Sequence, residues 1–349
     1  MRAMSPSPDR ILLVAVNWLG DLVLTLPALS AVRRRFPRAS LSILVRRDLA
    51  SFFESALWPG EVISFERGGR SMSLSLLLRT AALLRARRFD LAVLLPNNFE
   101  SALLAALARI PCRAGFSRDG RGWLLTHRAR ATRELLELHQ ASYFLSMLEV
   151  TLGIPAEPVD GSLLASSERR EAMRGWLQTR RRRPGGKLVA LAAGASYGPA
   201  KQWPTVHYSD LIDLLSEQHG AECVLVGAKE ERALCERVAA GSRSGALVAA
   251  GETDIGEAMA LLSVCDAFVG NDSGSMHLAG ALGVPTVGLF GSTDPKRTGP
   301  LGPRARTIYR PLECSPCLAR RCRFGHTRCL TQIRPEEVLD ELQALAVFS

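Results

Sequence analysis

Residues Ala267 to Gly291 read AFVGNDSGSMHLAGALGVPTVGLFG, and the order of residue types in this stretch decides the fold. The apolar run Ala267-Phe268-Val269 ends in Gly270-Asn271-Asp272-Ser273-Gly274; an Ala- and Leu-rich segment follows, and Pro285 opens a second apolar run. That pattern is strand, tight polar turn, helix, strand. A turn of this kind presents backbone N–H groups at a helix N-terminus, where the dipole and small side chains admit an anionic group, so a phosphate is the expected guest. Asp272 and Ser273 are equally suited to capping the helix without any ligand. His277 falls about one turn after Ser273 on the same helical face, and Gly291-Ser292-Thr293-Asp294-Pro295 closes the next strand at the same sheet edge. Ligands of open parallel sheets sit outside the carboxyl ends of the strands, so two polar loops there outline a site.

The same alternation extends along the chain. Ile11 to Val16, Leu41 to Val45 and Leu91 to Leu95 read as buried strands; Asp21 to Phe36, Ser71 to Arg88, Ser101 to Ile110 and Arg133 to Leu152 read as helices, the last stopped by Gly153. The run Arg180-Arg181-Arg182-Arg183-Pro184-Gly185-Gly186 reads as a linker. Beyond it Leu188 to Ala193, Cys223 to Val226, Ala246 to Ala249, Ala267 to Val269 and Thr286 to Phe290 are strands. The expected architecture is α/β, two doubly wound Rossmann-like domains covering residues 1–183 and 184–349. A length of 349 residues fits two domains.

A chain with 47% hydrophobic and 22% charged residues is a folded globular protein rather than a disordered one. Its net charge of +10 is uneven: residues 1–183 carry 28 basic and 16 acidic side chains, +12, and residues 184–349 carry 16 and 18, −2. A basic half implies an anionic partner. With only 6% aromatic residues and no recognisable nucleic-acid motif, the expectation is phosphorylated lipid and an anionic membrane surface, not nucleic acid. The run Ile11 to Val16 is interrupted by Asn17 and Asp21 and reads as a strand rather than a signal segment, and no spanning helix is expected; the protein is expected to be cytoplasmic. Eight cysteines in that setting are thiols or metal ligands. Cys314, Cys317, Cys322 and Cys329, spaced C-x2-C-x4-C-x6-C, suit either a structural zinc site or four reduced thiols packed in a loop.

Dinucleotide chemistry is disfavoured, since Asn17-Trp18-Leu19-Gly20-Asp21 after the first strand lacks G-x-G-x-x-G, and Gly194-Ala195-Ser196-Tyr197-Gly198 has the wrong glycine spacing. Four segments, Asn17 to Asp21, Lys201-Gln202-Trp203-Pro204, Asn271 to His277 and Gly291 to Pro295, occur in an order that resembles glycosyltransferase family 9, the ADP-heptose:lipopolysaccharide heptosyltransferases. Pro96-Asn97-Asn98-Phe99-Glu100-Ser101-Ala102 and the Cys314 to Cys329 segment are most similar to the heptosyltransferase II group. The resemblance implies a GT-B fold with a central cleft, an N-terminal acceptor domain and a C-terminal donor domain. It implies inverting transfer of heptose from ADP-L-glycero-β-D-manno-heptose to a phosphorylated heptosyl-Kdo-lipid A acceptor, with no cofactor required for catalysis, at the inner face of the inner membrane. The acceptor is expected at Asn17, Trp18, Asn97 and Asn98.

Such transfer builds positive charge on the anomeric carbon and negative charge on the departing diphosphate, while the acceptor hydroxyl loses a proton; a base and an anion clamp are required. Lys201 matches the family's phosphate-binding lysine, with a solvated surface lysine as the plainer reading. Ser196 and the turn Asp272-Ser273-Gly274 supply hydroxyl and N–H donors, and His277 either touches phosphate or orients the turn. Glu230 or Glu231 is placed to accept from ribose hydroxyls, or to serve as a first-turn helix carboxylate. Asp21 matches the family's proposed base, its rival role being a helix cap, with Glu100 and His139 as the other candidate bases. Alternatives are another GT-B enzyme, a UDP-sugar transferase or epimerase, and a non-catalytic nucleotide or anionic-lipid binder.

Overall fold

The protein is described here by a computed structural model covering residues 7–56, 58–66, 72–157 and 161–348. It divides into two compact units, one ending at Gly161 and the other beginning at Ser162. In the first, strands β1 (Arg10–Val14), β2 (Ser40–Arg46), β3 (Glu61–Phe65), β4 (Leu91–Leu94), β5 (Cys112–Phe116) and β6 (His127–Ala129) form a parallel sheet ordered β3-β2-β1-β4-β5-β6. Ile11, Leu12 and Leu13 are fully buried. A central strand covered by helices on both faces has no polar side to present, so its sequence is continuously apolar rather than alternating.

The second unit repeats the topology with β7 (Leu188–Ala192), β8 (Glu222–Leu225), β9 (Leu247–Val248), β10 (Ala267–Asn271), β11 (Thr286–Phe290) and β12 (Ala305–Tyr309), ordered β12-β11-β10-β7-β8-β9 and parallel. In each sheet the first strand lies centrally, the next two run to one side and the last three to the other. The loops after β1 and β4, and after β7 and β10, therefore diverge at a topological switch point, where such sheets open a crevice. Both units are doubly wound parallel sheets, as the alternation of strands and helices predicted.

Several expectations change. The helix expected from Asp21 to Phe36 is two, Leu19–Leu24 and Leu26–Arg35, divided at Thr25. Pro27 has no N–H to donate to the preceding turn and its ring crowds the carbonyl of Val23, which stops one helix and starts the next. Arg133 to Leu152 likewise divides into Arg133–Glu137 and Gln140–Leu152, with Leu138 extended and His139 capping the second. The expected helix from Ser71 is Leu74–Ala86; Ser71 itself lies outside the described residues.

The basic run expected as a linker belongs to the second unit. The helix Ser167–Gln178 packs on the Ile255–Ser263 helix, and Arg169 reaches Asp254, the cap of that helix, at 3.3 Å. Arg181 Nε and the Arg182 N–H both donate to Glu222, at 2.8 and 2.7 Å. With the division at Gly161, the first unit carries 21 basic and 14 acidic side chains, +7, and the second 23 and 20, +3. The positive bias of the first unit persists but is smaller than a boundary at 183 implies.

Candidate active site

At the carboxyl edge of the second sheet β10 ends in Asn271, whose fully buried amide is a cross-strand clasp. Asn271 Nδ2 donates to the carbonyls of Ala193 and Gly194 in the loop after β7, and its Oδ1 accepts from the Trp203 N–H. That clasp brings Lys201, in a short 3-10 turn Pro199–Lys201, beside Asp272. Lys201 Nζ is 2.5 Å from Asp272 Oδ2, and the Thr293 hydroxyl donates to the same oxygen at 2.6 Å. His277 Nε2 faces Asp272 Oδ1 at 3.7 Å. Burial pushes the Asp272 carboxyl up, but His277 and Lys201 outweigh it and hold the group at about 2.

This arrangement answers the capping question. Asp272 is occupied by Lys201, Thr293 and His277, while Ser273 occupies the cap position of the Gly274–Ala281 helix yet makes no side-chain cap bond. Ser273 Oγ, His277 Nδ1 and Ser292 Oγ are buried without a hydrogen-bond partner among the described residues. Buried polar atoms left unpaired are costly unless something meets them, so these three are groups that a water or a polar ligand at this edge can satisfy. Ser292 lies in the Gly291–Pro295 segment that the sequence places at this edge, although the sequence gives it no role of its own.

Glu231 and Glu230 separate. The Glu231 carboxylate accepts from the Ala228 N–H at 2.9 Å and lies against Gly194, where an added Cβ would come 2.0 Å from its Oε1. A side chain there would force the Glu231 carboxylate out of this position. Burial raises the Glu231 carboxyl, offset in part by that N–H. It thus stands at the ends of β7 and β8, where a hydroxyl donor can be met, while Glu230 is exposed beside it. Ser196 is exposed on the loop after β7.

In the first unit the corresponding loops carry the other candidates. Asp21 is the third residue of the Leu19–Leu24 helix, whose cap position is Trp18, so Asp21 is a half-buried first-turn carboxylate and not the cap. Trp18 is 59% exposed, and the Asn17 carbonyl accepts from Arg46 at 3.5 Å. Asn97 Nδ2 donates to the Tyr143 hydroxyl at 2.9 Å, whereas Asn98 caps the Phe99–Leu107 helix through the Ser101 N–H at 2.8 Å. Glu100 accepts from the Met72 N–H and His139 from the Ala141 N–H, so both other candidate bases hold local structure.

Arg121, fully buried, underlies this loop pair: it donates to the carbonyls of Phe116, Pro96 and Asn98 and to Ser101 Oγ. Burial pushes its guanidinium down to about 10. Nothing in Gly120-Arg121-Gly122 signals that role in advance.

The four clustered cysteines form no metal centre in this geometry. Among the described residues no group of three or more His, Cys, Asp or Glu side chains is placed to hold a metal ion. Cys317 is exposed, the Cys322 sulfur is met by backbone N–H groups of residues 324–327, which lower its thiol below the ordinary value, and Cys329 is half-buried near Gly291. Of the two arrangements the spacing allows, structural zinc or reduced thiols in a loop, the structure has the four as free thiols.

Residues 77–328 match the description Glycosyltransferase family 9 (heptosyltransferase). The chain belongs to glycosyltransferase family 9. It is a glycosyltransferase, and the epimerase and non-catalytic readings are not favoured. It is similar to lipopolysaccharide heptosyltransferase 2 of Salmonella typhimurium, at 28% identity over 345 residues, 96% of this chain and 98% of that protein. Among solved structures it is similar to ADP-heptose LPS heptosyltransferase II of E. coli, with a TM-score of 0.83 and 26% identity over 96% of this chain and 98% of that one. The family 9 glycosyltransferase from Veillonella parvula, at a TM-score of 0.88 and 23% identity over the whole of both chains, shares the fold. Among the described residues no helix is long and apolar enough to cross a membrane.

Proposed function

We propose that this family 9 enzyme transfers heptose from ADP-L-glycero-β-D-manno-heptose, with inversion, to a phosphorylated heptosyl-Kdo-lipid A acceptor of the lipopolysaccharide inner core, the heptosyltransferase II step. The observation that carries the reading is the switch-point site of the second unit, where Lys201, locked by Asp272, lies in the loop facing a helix N-terminus whose Ser273 Oγ and His277 Nδ1 have no partner among the described residues. In this reading the diphosphate lies on the Ser273 and Gly274 N–H groups, with Lys201 and Ser196 beside it, and Glu231, flanked by Glu230, accepts from the ribose.

The acceptor oxygen attacks the anomeric carbon as the bond to the diphosphate breaks, its electron pair leaving with ADP. Asp21, in the first turn of the Leu19–Leu24 helix, takes the acceptor proton. Asn17, Trp18 and Asn97 line the acceptor loops, and Asn98 shapes them through its cap. The chain supplies the anion clamp from its own donors, so no cofactor enters the step.

We further infer work at the inner, cytoplasmic face of the inner membrane, which the bias of the first unit toward Arg supports. Arg34, Arg35, Arg85 and Arg88 are exposed there. Arg87 is not part of that surface, because it is paired with Glu61 at 2.7 Å.

The test is transfer of labelled heptose from ADP-heptose to purified heptosyl-Kdo-lipid A. Turnover with that pair and none with UDP-, GDP- or CMP-sugars is expected. Equal turnover with a UDP-sugar, or donor binding with neither transfer nor hydrolysis, would overturn the assignment.

A further inference from the structure

The cysteine-bearing loop has no part in the site as described above, yet it is built onto it. The Leu318 N–H donates to the Ser292 carbonyl at 2.8 Å, the Tyr197 hydroxyl donates to the Leu318 carbonyl at 2.7 Å, and the Ala200 N–H donates to the Arg320 carbonyl at 3.1 Å. Gly198, at φ 152°, lies so close beneath this turn that an added Cβ would be 2.4 Å from the Arg320 carbonyl oxygen. Residues 318–320 thus join the loop after β7 to the loop after β11, the two that flank the proposed diphosphate position.

The consequence is a second cation. The Tyr197 ring has Lys201 Nζ 4.9 Å and the Arg320 guanidinium carbon 5.2 Å from its centroid. Lys201 shares its charge with Asp272, whereas among the described residues no carboxylate lies within ion-pair distance of Arg320, which is exposed and free to meet a ligand. A departing diphosphate gains negative charge as the glycosidic bond breaks, and a lysine that shares its charge with a counter-ion leaves part of that gain for a second cation. A planar guanidinium held by an aromatic ring offers paired donors suited to phosphate oxygens.

We propose that Arg320 binds the diphosphate of the nucleotide sugar, with Tyr197 as the shelf that sets it beside Lys201. This rests on the reading of the second unit as the donor site. It gives the Cys314–Cys329 loop a purpose apart from metal: to carry an arginine to that site.

Calorimetry on the full chain, with ADP and adenosine as probes, tests it. Arg320→Ala should weaken ADP by about tenfold, as expected for loss of a charge-assisted hydrogen bond, leave adenosine unchanged and flatten the salt dependence of ADP binding. Arg320→Lys should restore part of the loss. Wild-type ADP affinity in Arg320→Ala, alongside weakened ADP in Lys201→Ala, overturns the role of Arg320 alone. Wild-type ADP affinity in both variants removes the donor-site reading with it. Equal loss of ADP and adenosine also overturns the proposal, because it marks a disturbed loop rather than a lost phosphate contact.

Discussion

Asn271 and Trp203 are joined by a 2.9 Å bond from the Trp203 N–H to the Asn271 side-chain oxygen, and that bond fixes where the lysine-bearing loop leaves the sheet. The same amide donates to Ala193 and Gly194, so one side chain satisfies three backbone groups in a site with no water access. Asn271→Ala leaves them unpaired and should destabilise the protein by about 2–4 kcal/mol, with a loss of ADP affinity as the loop relaxes. Urea unfolding and calorimetry check this; unchanged stability would show that the loop is held some other way.

Lys201→Ala should act twice. Loss of the phosphate contact should weaken ADP by about 1.5–3 kcal/mol. Asp272, 5% exposed, would also be left without its cation, which should lower stability by about 3 kcal/mol. A variant as stable as wild type would mean that Thr293 and His277 suffice to hold the carboxylate.

Asp21→Asn keeps the shape of the helix start and removes the carboxylate. We expect kcat to fall by about 10²–10⁴ with donor affinity and melting temperature nearly unchanged. Wild-type turnover in the folded variant would return the search to Glu100 and His139, both of which would first have to leave a backbone N–H.

Acid stability should carry the signature of Asp272. Its carboxyl lies at about 2 in the folded chain against an ordinary 3.8, so its contribution is complete above about 4 and is lost as pH falls from there toward 2. The contribution is about 2 kcal/mol. Asp213, lowered by Ser242 and the neighbouring N–H groups against its own burial, acts in the same direction. The difference between wild type and Asp272→Asn therefore isolates the site: the two stabilities should converge as pH drops, and parallel curves would refute the assignment.

Vesicles containing anionic lipid should bind the protein at low salt and release it at high salt, with loss of binding on neutralising Arg34, Arg35, Arg85 and Arg88. Each basic residue near such a surface contributes about 1 kcal/mol, screened by salt. Neutralising Arg87 instead should disturb Glu61 and leave binding intact. Salt-independent sedimentation would rule out the electrostatic reading.

What could be read from residues alone follows burial. The Ala267–Gly291 stretch formed the strand, turn, helix and strand expected of it, because buried parallel strands are continuous apolar runs and the turn is written in Gly, Asn, Asp and Ser. β3, β5, β6 and β12 escaped notice because partly exposed strands mix polar residues into the pattern, as in Ala305–Tyr309, where only Ile308 is buried. Asn271 and Arg121 escaped for another reason: their roles lie in backbone groups far away in the chain, which no local pattern encodes. The Lys201 and Asp272 pairing was half-legible, each residue being conspicuous in its own motif but their contact depending on the pairing of β7 with β10.

That pairing is one of the long-range contacts on which completion of the nucleotide site depends. β7 meets β10 through Val189 opposite Ala267, so helices and the β7–β8 pair can form while the two halves of the nucleotide site are still apart. Contacts so distant in sequence are slow to close. During refolding, ADP binding should return with the slowest phase of the second unit. A chain stalled before that step would have helices by circular dichroism and no response to nucleotide, which makes the donor a reporter of completed folding.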